Sequence, residues 1–299
     1  MSIHIPTGLI AHTHHDIYPA IDACNPSSGL GDSAVDRTVV ITGAGRGIGR
    51  SIALNYAKAN AKIIVIAART ASQLDEVEIA IKAVNAACTV LKHPTDISNE
   101  ESVKALIAAA AAASAPNAPY TLINNAAHAP PPTSILDSDP KTWKQVWDVN
   151  VFGTFLTAHY LLPHLSSTNP TPHYIINVSS IGSRLTRQGL SAYQSSKTAI
   201  NRFTDFLQLE HGESHNLVTF AVHPGTVPTE LGKECVPEEL HHLFTDSPEL
   251  MGGFSVWLGS GKVDWAKGRY LECKWDVDEI LAVKEKVVSS DMWKTSVSI

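Results

Sequence analysis

Tyr193 and Lys197 stand four residues apart in "SAYQSSKTAI" (191–200), a spacing that sets both on one face of a helix. A free phenol has a pKa near ~10 and is a poor acid or base at neutral pH. An ammonium at ~4 Å is worth about 4 kcal/mol at an effective dielectric of ~20. At ~1.4 kcal/mol per unit, that would lower the phenol by about three units. The same ammonium can hold a ribose hydroxyl. The pair therefore reads as a general acid for a carbonyl oxygen, or a base for an alcohol. Taken alone, such a pair is more often a solvated helix face. Ser179 and Ser180 change that balance, because they close the apolar run "HYIINVSS" thirteen residues before Tyr193. A strand end, a loop and a helix start bring a hydroxyl beside the tyrosine, at the end of a sheet where ligands bind.

A second cluster carries binding rather than chemistry. "VVITGAGRGIGR" places Gly43, Gly45, Gly47 and Gly49, with Arg46 and Ile48 between them, at a strand-to-helix turn. Glycine permits the tight turn and the close approach of backbone to a pyrophosphate. The helix N-terminus then offers free N–H groups and a positive dipole end. The preceding strand and following helix are the context that supports dinucleotide binding. After the second strand many such folds carry an acid for the ribose 2′-hydroxyl. This chain has "AART" there, so Arg69, with Arg46 as a second charge, can pair with a 2′-phosphate. NADP(H) is therefore favoured over NAD(H). Asp96, ending the third strand in "HPTDIS", is placed for the adenine, and reads equally as a turn acid or helix cap.

These groups need elements to hold them. Short apolar runs, "RTVVITG", "AKIIVIAAR", "CTVLKHPTD", "YTLINNAA", "HYIINVSS" and "NLVTFAVHPG", read as six buried strands, with "GRYLECKW" as a last edge strand. Between them lie helical patterns: the one after the glycine turn, one with Ser72 as candidate N-cap, one opening on a capped acidic turn, one over about 140–166, and one over 191–213. Continuous apolar strands alternating with helices predict a single α/β domain, a doubly wound parallel sheet of Rossmann type with helices on both faces. The domain is expected over 36–299, after an N-terminal extension over 1–35. "HTHH" (His12, His14, His15) in that extension reads as a polar loop rather than a metal tract, because no carboxylate or cysteine stands at ligand spacing, and no metal is expected.

Of 299 residues, 44% are apolar and 17% charged, with a net charge of −6 and scattered basic residues. That composition suits a soluble globular protein and gives no footprint for nucleic acid. No apolar run reaches 18 residues, so no membrane helix is expected. Cys24, Cys88, Cys235 and Cys273 are far apart, and the N-terminus lacks a basic region leading into a long apolar stretch. A reduced, cytoplasmic setting is the expectation.

Six motifs come in one order: "TGAGRGIG" (42–49), "NNAA" (124–127), "VNVFG" (149–153), "NVSS" (177–180), "YQSSK" (193–197) and "HPGTVPT" (223–229). In this the chain resembles the short-chain dehydrogenase/reductase family, the single-domain Rossmann branch, over about 190 residues. The resemblance implies that Tyr193 is the acid/base, that Lys197 lowers its pKa and binds the nicotinamide ribose, and that Ser180 orients the carbonyl. It implies that Asn150 holds a water in a proton relay and that Asn124 closes the cofactor pocket. Val227 and Thr229 would meet the nicotinamide end. Ile97, Ala126, Pro224 and Gly225 would also line the cofactor site. Ala127 departs from the usual glycine by a methyl, so altered packing is expected. "YPAID" (18–22) and "GRYLECKWDVDEI" (268–280) are similar to a subset of fungal reductases near 300 residues, which suggests specialised metabolism and an extension packed on the domain.

Substrate identity should lie in the loops 128–136, 181–190 and 230–254. The stretch over about 229–254, with Leu231, Leu240, Leu243, Phe244 and Met251, reads as a lid over a partly apolar pocket or as a helical excursion packed on the core. Arg184 and Arg187 can bind an acidic substrate group or face water. The expected activity is reduction of a ketone or oxidation of a secondary alcohol, on a small molecule. A nucleotide-binding scaffold without chemistry, and a reductase that also guides a cyclisation, are the rival readings. The helices over 140–166 and 191–213 are where family members pair, so a homodimer or homotetramer is expected.

Overall fold

The computed structural model describes residues 9–296. Seven parallel strands form one sheet: β1 (Thr38–Thr42), β2 (Ile63–Ala68), β3 (Thr89–Pro94), β4 (Tyr120–Asn124), β5 (His173–Val178), β6 (Leu217–His223) and β7 (Arg269–Glu272). Their order is β3-β2-β1-β4-β5-β6-β7. The chain runs outward from β1 in one direction, then returns to β1's other side at β4. That reversal opens a crevice at the carboxyl ends of β1 and β4, where this class of sheet binds ligands.

Alternation along each strand splits the core in two. Val39 and Ile41 of β1 face one layer with Ile64, Ile66, Phe220, Phe254 and Trp257. Val40 faces the other with Val65, Leu122, Ile175, Leu156 and Leu207. Both faces are covered, which explains the unbroken apolar runs of the central strands. β3, at the edge, has no fully buried residue, unlike the other strands among the described residues.

The covering helices are α1 (Gly47–Lys58), α2 (Ala71–Val84), α3 (Glu100–Ala113), α4 (Pro140–Trp147), α5 (Gly153–Leu161), α6 (Ser191–His211), α7 (Glu230–Cys235), α8 (Pro248–Leu258), α9 (Val277–Ala282) and α10 (Lys284–Val288). Two sequence expectations change in detail. The N-cap of α2 is Thr70, not Ser72, which already lies in its first turn. The long helix expected over 140–166 is interrupted by a π-helical turn at Asp148–Phe152 that carries Asn150. Such wide turns recur at functional sites.

Residues 9–35 of the expected N-terminal extension pack on the domain, and residues 1–8 lie outside the described residues. Ile21 and Leu30 are fully buried in the first core layer, and Thr13 bridges Trp275. The three histidines of "HTHH" each meet a separate carboxylate. His12 pairs with Glu279, His14 Nε2 with Asp276 at 2.8 Å, and His15 Nδ1 with Asp246 at 2.6 Å. No helix among the described residues is long and apolar enough to cross a membrane.

Candidate active site

The glycine turn is built for an anion. Gly43 has φ +66°, and a side-chain carbon there would sit 2.8 Å from the Ala126 backbone; one at Gly49 would sit 2.2 Å from the Gly43 carbonyl. The turn thus folds tightly onto itself and onto the end of β4. Among the described residues the N–H groups of Gly45 through Gly49 find no acceptor, while Arg50 N–H begins the α1 ladder on Arg46. Free amides at the mouth of a helix are what a diphosphate requires.

A single crevice of about 2550 Å3 joins this turn to the tyrosine. It is lined by Gly43, Gly45, Arg46, Gly47, Ile48, Gly49, Arg69, Asp96, Ile97, Ala126, Pro224, Gly225, Val227 and Thr229, and by Ser180, Tyr193 and Lys197. The residues present fit a dinucleotide, because the unsatisfied amides and the steric closeness of the glycine turn leave room for backbone-to-phosphate contact and for nothing bulkier.

Ser180 and Tyr193 face each other across this wall. Ser180 leaves β5 in extended conformation and caps the following 3-10 turn by accepting from Gly182 N–H at 3.0 Å. Its hydroxyl lies near the Tyr193 phenol and pulls that group's pKa down. Ser179 points the other way, into α6, donating to Asn201 Oδ1. Lys197 is 2% exposed, and its Nζ donates to the Val178 carbonyl at 2.8 Å.

The electrostatics differ from the expectation drawn from spacing. Burial pulls the Lys197 amine down to about 7. Burial and then the Cys235 sulfur push the Tyr193 phenol above its usual value, against the opposite pull of nearby Ser180. A fully charged lysine lowering the tyrosine is therefore not what the protein alone provides. Lys197 is buried and Tyr193 half-buried on the crevice wall, and desolvation favours the neutral form of each.

Two asparagines sit elsewhere than expected. Asn124 is buried away from the crevice, donating to Asn177 Oδ1 at 2.8 Å and accepting from Thr157 at 2.7 Å. Its neighbour Asn125 lines the crevice instead, and its Nδ2 holds the Thr42 and Gly43 carbonyls at 3.0 and 3.1 Å. Asn125 thus ties β4 to the glycine turn, and Thr42 Oγ1 accepts from the N–H groups of Asn125 and Ala126. The alternation of side chains along β4 explains the exchange: its last residue faces a helix and the next one turns toward β1. Asn150 is fully buried and both of its amide N–H groups are engaged. It accepts from His128 N–H and donates to the His128 carbonyl and to Ser196. Its side chain fixes the wall after β4 and holds the α6 serine that bonds the Tyr193 carbonyl, while its backbone carbonyl accepts from Thr154 Oγ1.

The two arginines also part. Arg69 is exposed on the crevice rim with no carboxylate within 4.0 Å among the described residues. Arg46 is paired with Glu230, at the start of α7. Asp96 lines the crevice while its Oδ1 accepts from Ser98 N–H and hydroxyl, so it is a turn acid as well. The segment over 229–254 divides. Leu231, Leu240, Leu243 and Phe244 line the crevice, whereas Leu250, Met251 and Phe254 of α8 are fully buried in the core. Any lid therefore ends near Ser247. Asp246 anchors its base. The carboxylate accepts from Thr226 N–H at 2.6 Å and from the Thr226 hydroxyl at 2.9 Å, beneath Gly225.

The comparisons with known proteins agree with this geometry. The family model described as short chain dehydrogenase matches residues 37–240. A fungal relative, "Short chain dehydrogenase citE" of Monascus ruber, is 38% identical over 290 residues, covering 95% of this chain and 94% of its own. "Short chain dehydrogenase pigC" of the same organism is 35% identical, covering 94% and 91%. Among solved structures, a 3-ketoacyl-(acyl-carrier-protein) reductase from Brucella melitensis complexed with NADH superposes with a TM-score of 0.72 at 25% identity, covering 80% of this chain and 96% of its own. This chain, with its doubly wound sheet, glycine turn and nicotinamide-type crevice, belongs to the short chain dehydrogenase family of oxidoreductases.

Proposed function

We propose that the protein is an NADP(H)-dependent reductase that interconverts a ketone and a secondary alcohol, with Tyr193 as the proton donor. The observation that carries this reading is Tyr193 beside buried Lys197, with Ser180 on the same wall, in a crevice continuous with the glycine turn. The nicotinamide, when bound, supplies or takes up the hydride. Ser180 and Tyr193 present two hydroxyls to one carbonyl oxygen, which fixes its position and polarises it. Tyr193 stays protonated at neutral pH because burial holds its pKa up, so the proton needed by a forming alkoxide is in place. Lys197 sits in the wall beneath the phenol, where a ribose hydroxyl would give its Nζ a second partner. Arg69, unpaired at the end of β2, supports a 2′-phosphate and hence NADP(H).

The same reading takes the protein as a homodimer or homotetramer. Phe152 and Phe155 on the α4–α5 side, and Phe206 and Leu209 on α6, are 40% to 80% exposed. Apolar groups left in water on these helices support pairing there. The function is tested by following NADPH oxidation over a panel of ketones and aldehydes. Tight NADPH binding with no turnover of any carbonyl would refute the proposal and favour a non-catalytic nucleotide binder.

A further inference from the structure

Beyond Ser180 and Tyr193 the crevice continues toward β7 and the C-terminal segment, where Tyr270, Glu272, Trp275 and Trp293 line it. Its volume exceeds severalfold the ~300–1000 Å3 that one drug-sized ligand fills, so a second ligand fits beside a dinucleotide. The strand register locates this far end. Val178 of β5 pairs with Val222 of β6, and His223 of β6 pairs with Glu272 of β7. Strands lie ~4.8 Å apart, so the β7 backbone runs about 10 Å from β5, the strand that leads to Ser180.

Glu272 is an unusual group to find there. It is 7% exposed, at a strand end, on a crevice wall. Its Oε1 accepts from Arg184 Nη1 at 3.0 Å and from the Tyr270 hydroxyl at 3.2 Å. Its Oε2 takes no hydrogen bond among the described residues. The Nδ1 of its register neighbour His223 is buried without a partner. A carboxylate with one oxygen satisfied and the other open is a poised acceptor for an O–H donor, and the charge strengthens that bond. Arg184 already neutralises Glu272, and its guanidinium lies 5.5 Å from the Tyr270 ring centre. An acidic ligand would bring a third charge beside Glu272, whereas a neutral hydroxyl would complete the pair. Trp275 and Trp293, with ring centres 5.1 Å apart, give this end flat apolar surfaces.

We infer that Glu272, held by Arg184 and Tyr270, is the distal recognition group of the substrate pocket, and that the substrate is a planar carbonyl compound bearing a phenolic or enolic hydroxyl about 10 Å from the carbonyl that is reduced. The inference rests on the proposed reductase reading, and it narrows the substrate to a class: conjugated or aromatic ketones of about two fused rings with a hydroxyl at the far end.

The probes are 6-hydroxy-2-acetonaphthone and its methyl ether, which differ only in the distal O–H. Two readouts run in parallel on the full chain: kcat/KM for NADPH-dependent reduction, and Kd from quenching of tryptophan fluorescence without turnover. The wild type should favour the hydroxy compound by about tenfold or more in both, since a site built around a hydroxyl rejects the analogue lacking it. Glu272→Gln should bring both ratios close to one. Should that variant fail to fold by circular dichroism, Glu272→Asp is read instead, because it retains the charge but withdraws it from the ligand. Reduction of both ketones with no preference in the wild type overturns the inference and leaves the reductase reading standing. A hydroxyl preference in Kd that Glu272→Gln abolishes, with neither ketone reduced, upholds the recognition site and refutes the reductase reading. Preference retained in full by Glu272→Gln also overturns the inference, whatever the rate.

Discussion

The Lys197 Nζ lies 5.6 Å from the centre of the Tyr193 ring and donates to the Val178 carbonyl at 2.8 Å. The two side chains share one desolvated wall, and burial drives each toward its neutral form: the amine down to about 7, the phenol up. Burial of each makes the tyrosine a proton donor at rest rather than a base, and it makes the lysine a costly residue to bury.

The first prediction concerns Tyr193. Tyr193→Phe removes the hydroxyl and keeps the ring, so the loss should fall on turnover rather than on nucleotide affinity. We expect kcat to drop by about 100- to 10,000-fold, the usual worth of a positioned acid, with NADPH affinity changed little. The pH dependence has a definite sign. A phenol whose pKa is raised stays protonated through neutrality, so reduction should hold steady there. The reverse oxidation needs that proton removed first, so it should quicken as pH rises. Steady-state rates in both directions across pH test this, and a Tyr193→Phe enzyme with undiminished kcat would end the proposed mechanism.

Lys197 yields a prediction about stability. Its folded pKa lies below the unfolded value, so between about pH 7 and the ordinary lysine range the unfolded chain binds the extra proton. Stability should therefore rise with pH across that window, and below about pH 7 the full cost of burying the charge is present. Lys197→Met removes the cost while filling the same space. It should raise nucleotide-free stability at pH 6 by about 1–3 kcal/mol, seen as a higher melting temperature, while abolishing turnover. A variant less stable than the wild type at pH 6 would mean that the Val178 hydrogen bond outweighs the desolvation.

Much of this was legible in the residues themselves, for local reasons. Tyr193 and Lys197 share a helix face because four residues make about one turn. The glycine turn announces itself because only glycine tolerates the approach of Gly49 to the Gly43 carbonyl. Unbroken apolar runs mark a sheet covered on both faces. What stayed hidden is long-range. Glu230 meets Arg46, Asp246 meets Thr226 and His15, and Glu272 meets Arg184 across separations that no local pattern records. Asn124 and Asn125 show the limit at closest quarters. The doubled amide signals a site, but which of the two faces the crevice depends on where β4 stops alternating and begins to turn.

Asp246 supplies a prediction from that hidden set. Burial pushes its carboxyl up, but the Thr226 N–H, His15 and Lys274 together hold it below the usual value. A carboxyl lowered in the fold contributes stability above its unfolded pKa, and that contribution is lost as pH falls through the folded value. Asp246→Asn should cost about 2–4 kcal/mol at neutral pH, typical of breaking a buried charged pair, and should flatten the acid limb of the stability curve. It should also loosen the loop from Pro224 to Thr229 and weaken nucleotide binding. Denaturation curves from pH 3 to 7 and a nucleotide titration read both effects. A variant with the wild-type acid limb would show that Asp246 is not the anchor.

The last prediction separates the two arginines. Arg69 stands on the rim after β2 with no carboxylate partner among the described residues, whereas Arg46 is already held by Glu230. A 2′-phosphate recruiting Arg69 gains a charge-assisted bond at little cost, but recruiting Arg46 means breaking an existing pair. Arg69→Ala should therefore weaken NADPH by about 10–100-fold and leave NADH nearly untouched. Arg46→Ala should do less, because the pair it dissolves is exposed and worth about 1 kcal/mol at most. Glu230→Gln moves the opposite way. It frees Arg46, so NADPH affinity should rise by a few-fold, and the gain should shrink as salt is added. Calorimetric titration of both nucleotides into the three variants decides the matter. An Arg69→Ala protein that still prefers NADPH as strongly as the wild type would place cofactor choice in some other residue, and an Arg46→Ala protein with the larger loss would place it in the glycine turn.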